Sequence, residues 1–142
     1  MKYEFTGETK VESGVTLRRI RAVTAFGAIA AGAVGGWIEK EANLDRVSGD
    51  AWVYGNARVY GNAQVSGDAD LLLVGPIGSR RSYLTVTADA KIGVRYSTGC
   101  FSGDLKTLKT AVKRDHGKTS LYAKQYAAAI AMAKACVKAK GG

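Results

Sequence analysis

The sequence predicts a mainly β protein with an α-helical C-terminus, in which a short coiled β-stack precedes a small α+β unit with two helices. Three observations predict it. A six-residue repeat runs through "GDAWVYGNARVYGNAQVSGDAD", residues 49–70, where Gly-Asn-Ala or Gly-Asp-Ala recurs with a valine two places further on. Eighteen glycines against one proline point to many tight turns. Residues 103–142 are rich in lysine and alanine and carry helical spacing with capping residues. An apolar content of 46% supports a core and excludes wholesale disorder.

Residues 1–46 read as strands that cap the stack. The opening "MKYEFTGETKVE" has acids where a secretory leader needs a basic run and then an apolar one, so no leader is expected. "TLRRIRAVTAFG" mixes β-branched and basic residues as one strand, or two around a turn. Ala22 to Ile38 is uncharged over 17 residues, short for a membrane span, and Gly27, Gly32, Gly35 and Gly36 interrupt it. No membrane partner is expected. In "VGGWIEKEANL", Trp37 and Ile38 read as the strand that opens the stack, with Ile38 and Ala42 already spaced as a repeat unit.

Residues 47–72 hold the repeat. Val47, Val53, Val59 and Val65 each stand four places before Ala51, Ala57, Ala63 and Ala69, and Leu71 begins a fifth unit. Alternation along a short strand sends valine and alanine inward and Trp52, Tyr54, Arg58, Tyr60 and Gln64 largely outward. Gly-Asn or Gly-Asp between them lets the chain turn a corner. The pattern resembles the hexapeptide repeat of left-handed parallel β-helices, in which three hexapeptides make one triangular coil. That resemblance implies that Val53 stacks under Leu71 and Val47 under Val65. It also implies a homo-oligomer, most often a trimer, for which Trp52, Tyr54 and Tyr60 would supply the interface. Four units give little more than one coil, and repeat units do not bury their faces alone, so flanking segments or other copies must cap them.

Residues 73–142 read as the α+β unit. "LLLVGPIGS", "YLTVTAD" and "KIGVRYSTGCFSG" give three short strands, and Thr85 and Thr87 alternate with Leu84, Val86 and Ala88 as in a half-buried strand. The first helix follows Ser102 as a candidate N-cap, has Asp104 in its first turn, places Leu105, Leu108 and Val112 on one face, and stops at Gly117. The second starts at Thr119 or Ser120. Tyr122, Tyr126, Ala129, Ala133 and Cys136 or Val137 share one of its faces.

The charge is uneven. Of a net +9, residues 103–142 hold nine bases against two acids. That excess suits an anionic partner, whether nucleotide, nucleic acid or acidic protein surface, although a solvated lysine-rich helix face leaves the same signature. "VGPIGSRR" places Gly75, Gly78, Ser79, Arg80 and Arg81 in one loop, able to aim backbone amides, a hydroxyl and two guanidinium groups at an anion. It lacks the spacing of a Walker loop. In "STGCFSG", the hydroxyls, Thr98 among them, precede a helix start that can receive a phosphate. His116 and Lys118 fall near the end of the first helix and complete the candidate ligand set. Cys100 with His116 offers a nucleophile and a base, but the single histidine ends a helix beside Gly117, where it suits the helix dipole. No enzyme is expected. One histidine and the separated Cys100 and Cys136 predict no metal site and no cofactor, and leave both free thiols and one disulfide open.

"LRRIRAVTAFG", "GGWIEKEANL", the repeats, "GPIGSR", "TGCFSG", "HG" and "YAKQYAAAI", in this order, resemble a family of small phage and prophage hexapeptide-repeat proteins. The resemblance implies expression in a host bacterial cytoplasm. By analogy with other small phage proteins, it implies action against bacterial defence, through sequestering a small anionic, nucleotide-like signal. Inhibition of a host defence protein by surface contact, or nucleic-acid binding, are the alternatives.

Overall fold

The computed structural model describes residues 2–12, 14–45, 51–99 and 101–139. The first of two four-stranded sheets runs in the order β1 (Tyr3–Glu12), β2 (Val15–Ala22), β3 (Val34–Ile38), β4 (Arg58–Val59). β1, β2 and β3 pair antiparallel, whereas β4 joins β3 parallel, with Trp37 opposite Arg58 and Ile38 opposite Val59. The second sheet is an antiparallel meander of β5 (Leu71–Ile77), β6 (Ser82–Asp89), β7 (Gly93–Thr98) and β8 (Phe101–Gly103). Two helices follow, α1 (Leu105–His116) and α2 (Leu121–Cys136). No helix among the described residues is long and apolar enough to cross a membrane.

The left-handed parallel β-helix is not formed. Its coils would pair repeat units eighteen residues apart, such as Val53 with Leu71. Instead the described repeat residues pair with segments outside the repeat. Val59 lies opposite Ile38, Val65 bridges to Leu44 in parallel, and Ala63 bridges to Asp89 antiparallel. Val47, the expected partner of Val65, lies outside the described residues. The physical reason is the shortness of the repeat. With too few units to stack, its backbone groups find partners on β3 and on the end of β6: Gly36 donates to the Val53 carbonyl at 2.7 Å, Trp37 to Ala57 at 3.0 Å and Gln64 to Ala88 at 3.0 Å. Gly35 and Gly36 permit the approach on one side. A Cβ on Gly35 would stand 2.6 Å from both the Trp52 ring and the Val53 carbonyl oxygen, and one on Gly36 would stand 2.8 Å from the Ala57 carbonyl.

The period of six still sets what is buried. Ala51, Val53, Ala57, Val59, Ala63, Val65 and Leu71 enter one core with Tyr3, Ile20, Ile38 and Leu44. Full burial of each valine side chain contributes about 1.5–3 kcal/mol. Turns close at Ala57 and Ala63, whose amides donate to the carbonyls of Tyr54 and Tyr60. Asn43, fully buried, holds the segment in place by donating to the carbonyls of Gly61 and Ala63 at 3.2 and 2.8 Å. Trp52 departs from the expected alternation. It is only 8% exposed and meets Phe26 edge-on, because the loop between β2 and β3 folds over it. The aromatic surface expected to join copies of the chain is therefore reduced to the exposed Tyr54 and the half-buried Tyr60.

The second sheet is covered on both faces. Leu71 and Leu73 of β5 join the core of the repeat, while Leu72 and Val74 join a second core with Leu84, Val86, Tyr96, Leu108, Ile130 and Val137. This accounts for the unbroken run "LLLV", which alternation along a one-sided strand would not produce. It also corrects the half-buried reading of β6. Thr85 and Thr87 are buried too, and the Thr85 hydroxyl accepts from the Arg58 amide of the repeat segment at 3.2 Å. The two C-terminal helices stand where the sequence puts them. Asp104 rather than Ser102 caps α1, accepting from the Thr107 amide at 2.9 Å, and Ser120 caps α2. Leu108 is buried, with Leu105 and Val112 packed around it. On α2, Tyr126, Ala129, Ala133 and the following Val137 are buried, but Tyr122 and Cys136 are exposed.

Candidate functional site

Successive side chains of β7 alternate between the two faces of the sheet. Val94 and Tyr96 point into the core shared with the helices, and Thr98, in the same register, ends the series at the rim of that core. The β7–β8 turn begins at Gly99, whose carbonyl accepts from Arg58 at 3.2 Å, and Arg58 also pairs with Glu12. The first sheet thus braces this turn.

The β5–β6 loop reaches the same place from the opposite side. Gly75, near the end of β5, has a φ of 149°, and a Cβ there would stand 2.9 Å from the Ser82 carbonyl oxygen, so only glycine fits. Gly78 lies so close to α2 that a Cβ would meet the Tyr126 hydroxyl at 2.8 Å, and its amide donates to Gln125 at 2.8 Å. Arg81 adopts a φ of 50°, which turns the chain back into β6.

Between these loops and the end of α1 lies a cleft of about 510 Å³. Ser79, Arg80, Thr98 and His116 line it together, although they come from three separate stretches of sequence. Phe101, Leu108, Val112 and Tyr126 form its apolar wall. Of the other predicted ligand residues, Gly75 and Arg81 do not line the cleft, Gly78 serves it by admitting Tyr126, and Lys118 faces a separate groove between the helices. Cys100 lies outside the described residues.

Three features define the chemistry. The Thr98 hydroxyl is the one buried side-chain polar atom among the described residues that lacks a hydrogen-bond partner. Such a group loses its water without compensation, at a cost of about 1–3 kcal/mol. Second, the rim is cationic. Arg114 donates to Asp115 at 3.0 Å, and that hydrogen bond holds the Asp115 carboxyl below the usual carboxylate range, with His116 and Arg80 acting in the same direction. Asp115 therefore stays ionised and neutralises only part of the positive rim. Third, His116 stacks on Tyr126 with ring centroids 6.1 Å apart at 13°, and meets Tyr122 at 5.4 Å. Aromatic faces thus adjoin the cations.

Sequence reasoning missed Ser82, Phe101, Arg114, Asp115 and Tyr126 in this cleft. One signal was available. Asp115 continues the apolar series Leu108, Ala111, Val112 at helical spacing, which puts a charge where the stripe would place a hydrophobe. Among the described residues, no three His, Cys, Asp or Glu side chains gather as metal ligands would. No protein-family model matches the chain, and no curated protein or solved structure is significantly similar to it.

Proposed function

We propose that the chain is a non-enzymatic binding protein whose cleft takes a small, phosphate-bearing, nucleotide-like ligand. The observation that carries this reading is the unpartnered, buried Thr98 hydroxyl in a cleft that also holds Arg80 and Arg114. A ligand oxygen supplies the missing partner, and the guanidinium groups meet the negative charge as planar, multi-donor forks. Phe101 and Tyr126 offer apolar and ring surface for a base. The volume falls within the range of small-molecule sites. Binding rather than catalysis is favoured because the carboxylate that lines the cleft, Asp115, is held by Arg114. The wider setting, a phage protein that sequesters a defence signal in the bacterial cytoplasm, is supported by the motif-order resemblance.

Calorimetric titration with mono-, di- and cyclic nucleotides tests this. Arg80→Ala is expected to weaken the tightest member about tenfold or more, the loss of a charge-assisted hydrogen bond of about 1.5–3 kcal/mol. Arg81→Ala, outside the cleft, is expected to change it less than twofold. If no nucleotide binds more tightly than about millimolar, the weak end of the affinity scale, the reading fails.

A further inference from the structure

α1 and α2 leave an open groove of about 420 Å³, which shares Val112 and Tyr126 with the cleft. Its floor is Val112, Ala123, Ala127, Ile130 and Ala131. Lys109 and Lys113, one turn apart, line it from α1, Lys118 from the connection between the helices and Lys134 from the last turn of α2. None of these four lysines forms a salt bridge among the described residues. We propose that this groove docks an acidic amphipathic helix belonging to a partner protein. The proposal is independent of the ligand reading for the cleft.

The argument is one of charge and shape. An apolar floor lined by lysines matches an apolar stripe flanked by carboxylates, the pattern of an acidic amphipathic helix. A single-carboxylate amphiphile would answer one lysine and leave the rest unmatched. The alanines at 127 and 131 keep the floor low, so a helix backbone can approach closely. On α2 the lining runs from Ala123 to Lys134, about 16 Å at about 1.5 Å per residue, enough for roughly three turns of a docked helix. A second copy of this chain does not fit. Its two α-helices carry one acid between them, Asp115, and Arg114 already holds it. With a net charge of +9, two copies would also repel each other through this face.

The probe is a synthetic 14-residue peptide with leucines on one helical face and glutamates on both flanks. Amide chemical shifts of the full chain are followed during its titration. The expected result is micromolar binding that weakens with salt, with shifts at Ala127, Ala131, Lys109 and Lys113. The double variant K109E/K113E should lose at least tenfold in affinity. Ala127→Glu, at an exposed floor position, should abolish binding, while Lys106→Glu, off the groove, should leave it unchanged. Circular dichroism of each variant confirms that the fold is retained. The proposal is overturned if the peptide does not bind, or if a scrambled peptide of the same composition binds equally. Dodecanoate or anionic vesicles occupying the groove in preference to the peptide would also overturn it, as would shifts that fall outside the groove.

Discussion

The two faces of the second sheet treat polar groups in opposite ways. Towards the repeat, polar side chains are buried and matched. Thr85 accepts from Arg58, and Asp89, fully buried, takes Arg95 at 2.7 Å and the amides of Lys91 and Ile92 at 2.8 and 3.0 Å. Towards the helices the face is apolar, yet its last polar residue, Thr98, is left unmatched beside a cleft. The first face holds two sheets together. The second leaves the Thr98 hydroxyl without a partner among the described residues, a departure from the rule that buried polar groups are satisfied.

The sharpest way to break the first region is Val59→Asp. Val59 is 1% exposed, so the change buries an unpaired charge and is expected to abolish cooperative unfolding as followed by circular dichroism. A wild-type melting curve would show that the repeat is not part of the core. Next comes Asp89→Asn, which leaves Arg95 uncompensated and is expected to cost about 3 kcal/mol in urea denaturation.

The same residue carries a pH signature. Burial raises the Asp89 carboxyl, but the Arg95 hydrogen bond and the two amides outweigh it, so its folded value is lowered. A lowered carboxylate stabilises the fold fully above its unfolded value of about 3.9, and that stability is lost as pH falls through the folded value. Stability measured from pH 6 downwards should therefore fall less steeply in Asp89→Asn than in the wild type.

Gly35→Ala has a smaller effect. Its methyl group would press on Trp52 and the Val53 carbonyl, an overpacking cost of about 1–3 kcal/mol. The smallest effect on stability separates the two faces most clearly. Thr98→Val keeps the shape and removes the unmatched hydroxyl, so the chain should be as stable as the wild type or up to about 1 kcal/mol more stable. Nucleotide affinity should nevertheless fall about fivefold or more, the counterpart of a hydrogen bond of about 1 kcal/mol. A chain destabilised by this change would place Thr98 with the matched polar groups of the first face.

Local sequence determined much of the molecule. The valines and alanines of the repeat were legible as core from their period alone, because side-chain alternation and glycine turns are short-range properties. The helices were legible from Leu105, Leu108 and Val112, from a start at Thr119 or Ser120 and from the stop at Gly117. Ser79, Arg80, Thr98 and His116 were legible as ligand candidates because loops rich in glycine, hydroxyls and cations suit anions whatever surrounds them. What the sequence could not decide was which strand each segment would meet. A backbone amide carries no record of its partner, so the pairing of Val59 with Ile38 rather than with another coil depended on Gly35 and Gly36, some twenty residues away. The inward turn of Trp52 depended on Phe26, and the exclusion of Arg81 from the cleft on the left-handed turn it makes. The Thr98 hydroxyl lines a cleft only because β7, the β5–β6 loop and the end of α1 converge, and that convergence is a property of tertiary packing alone.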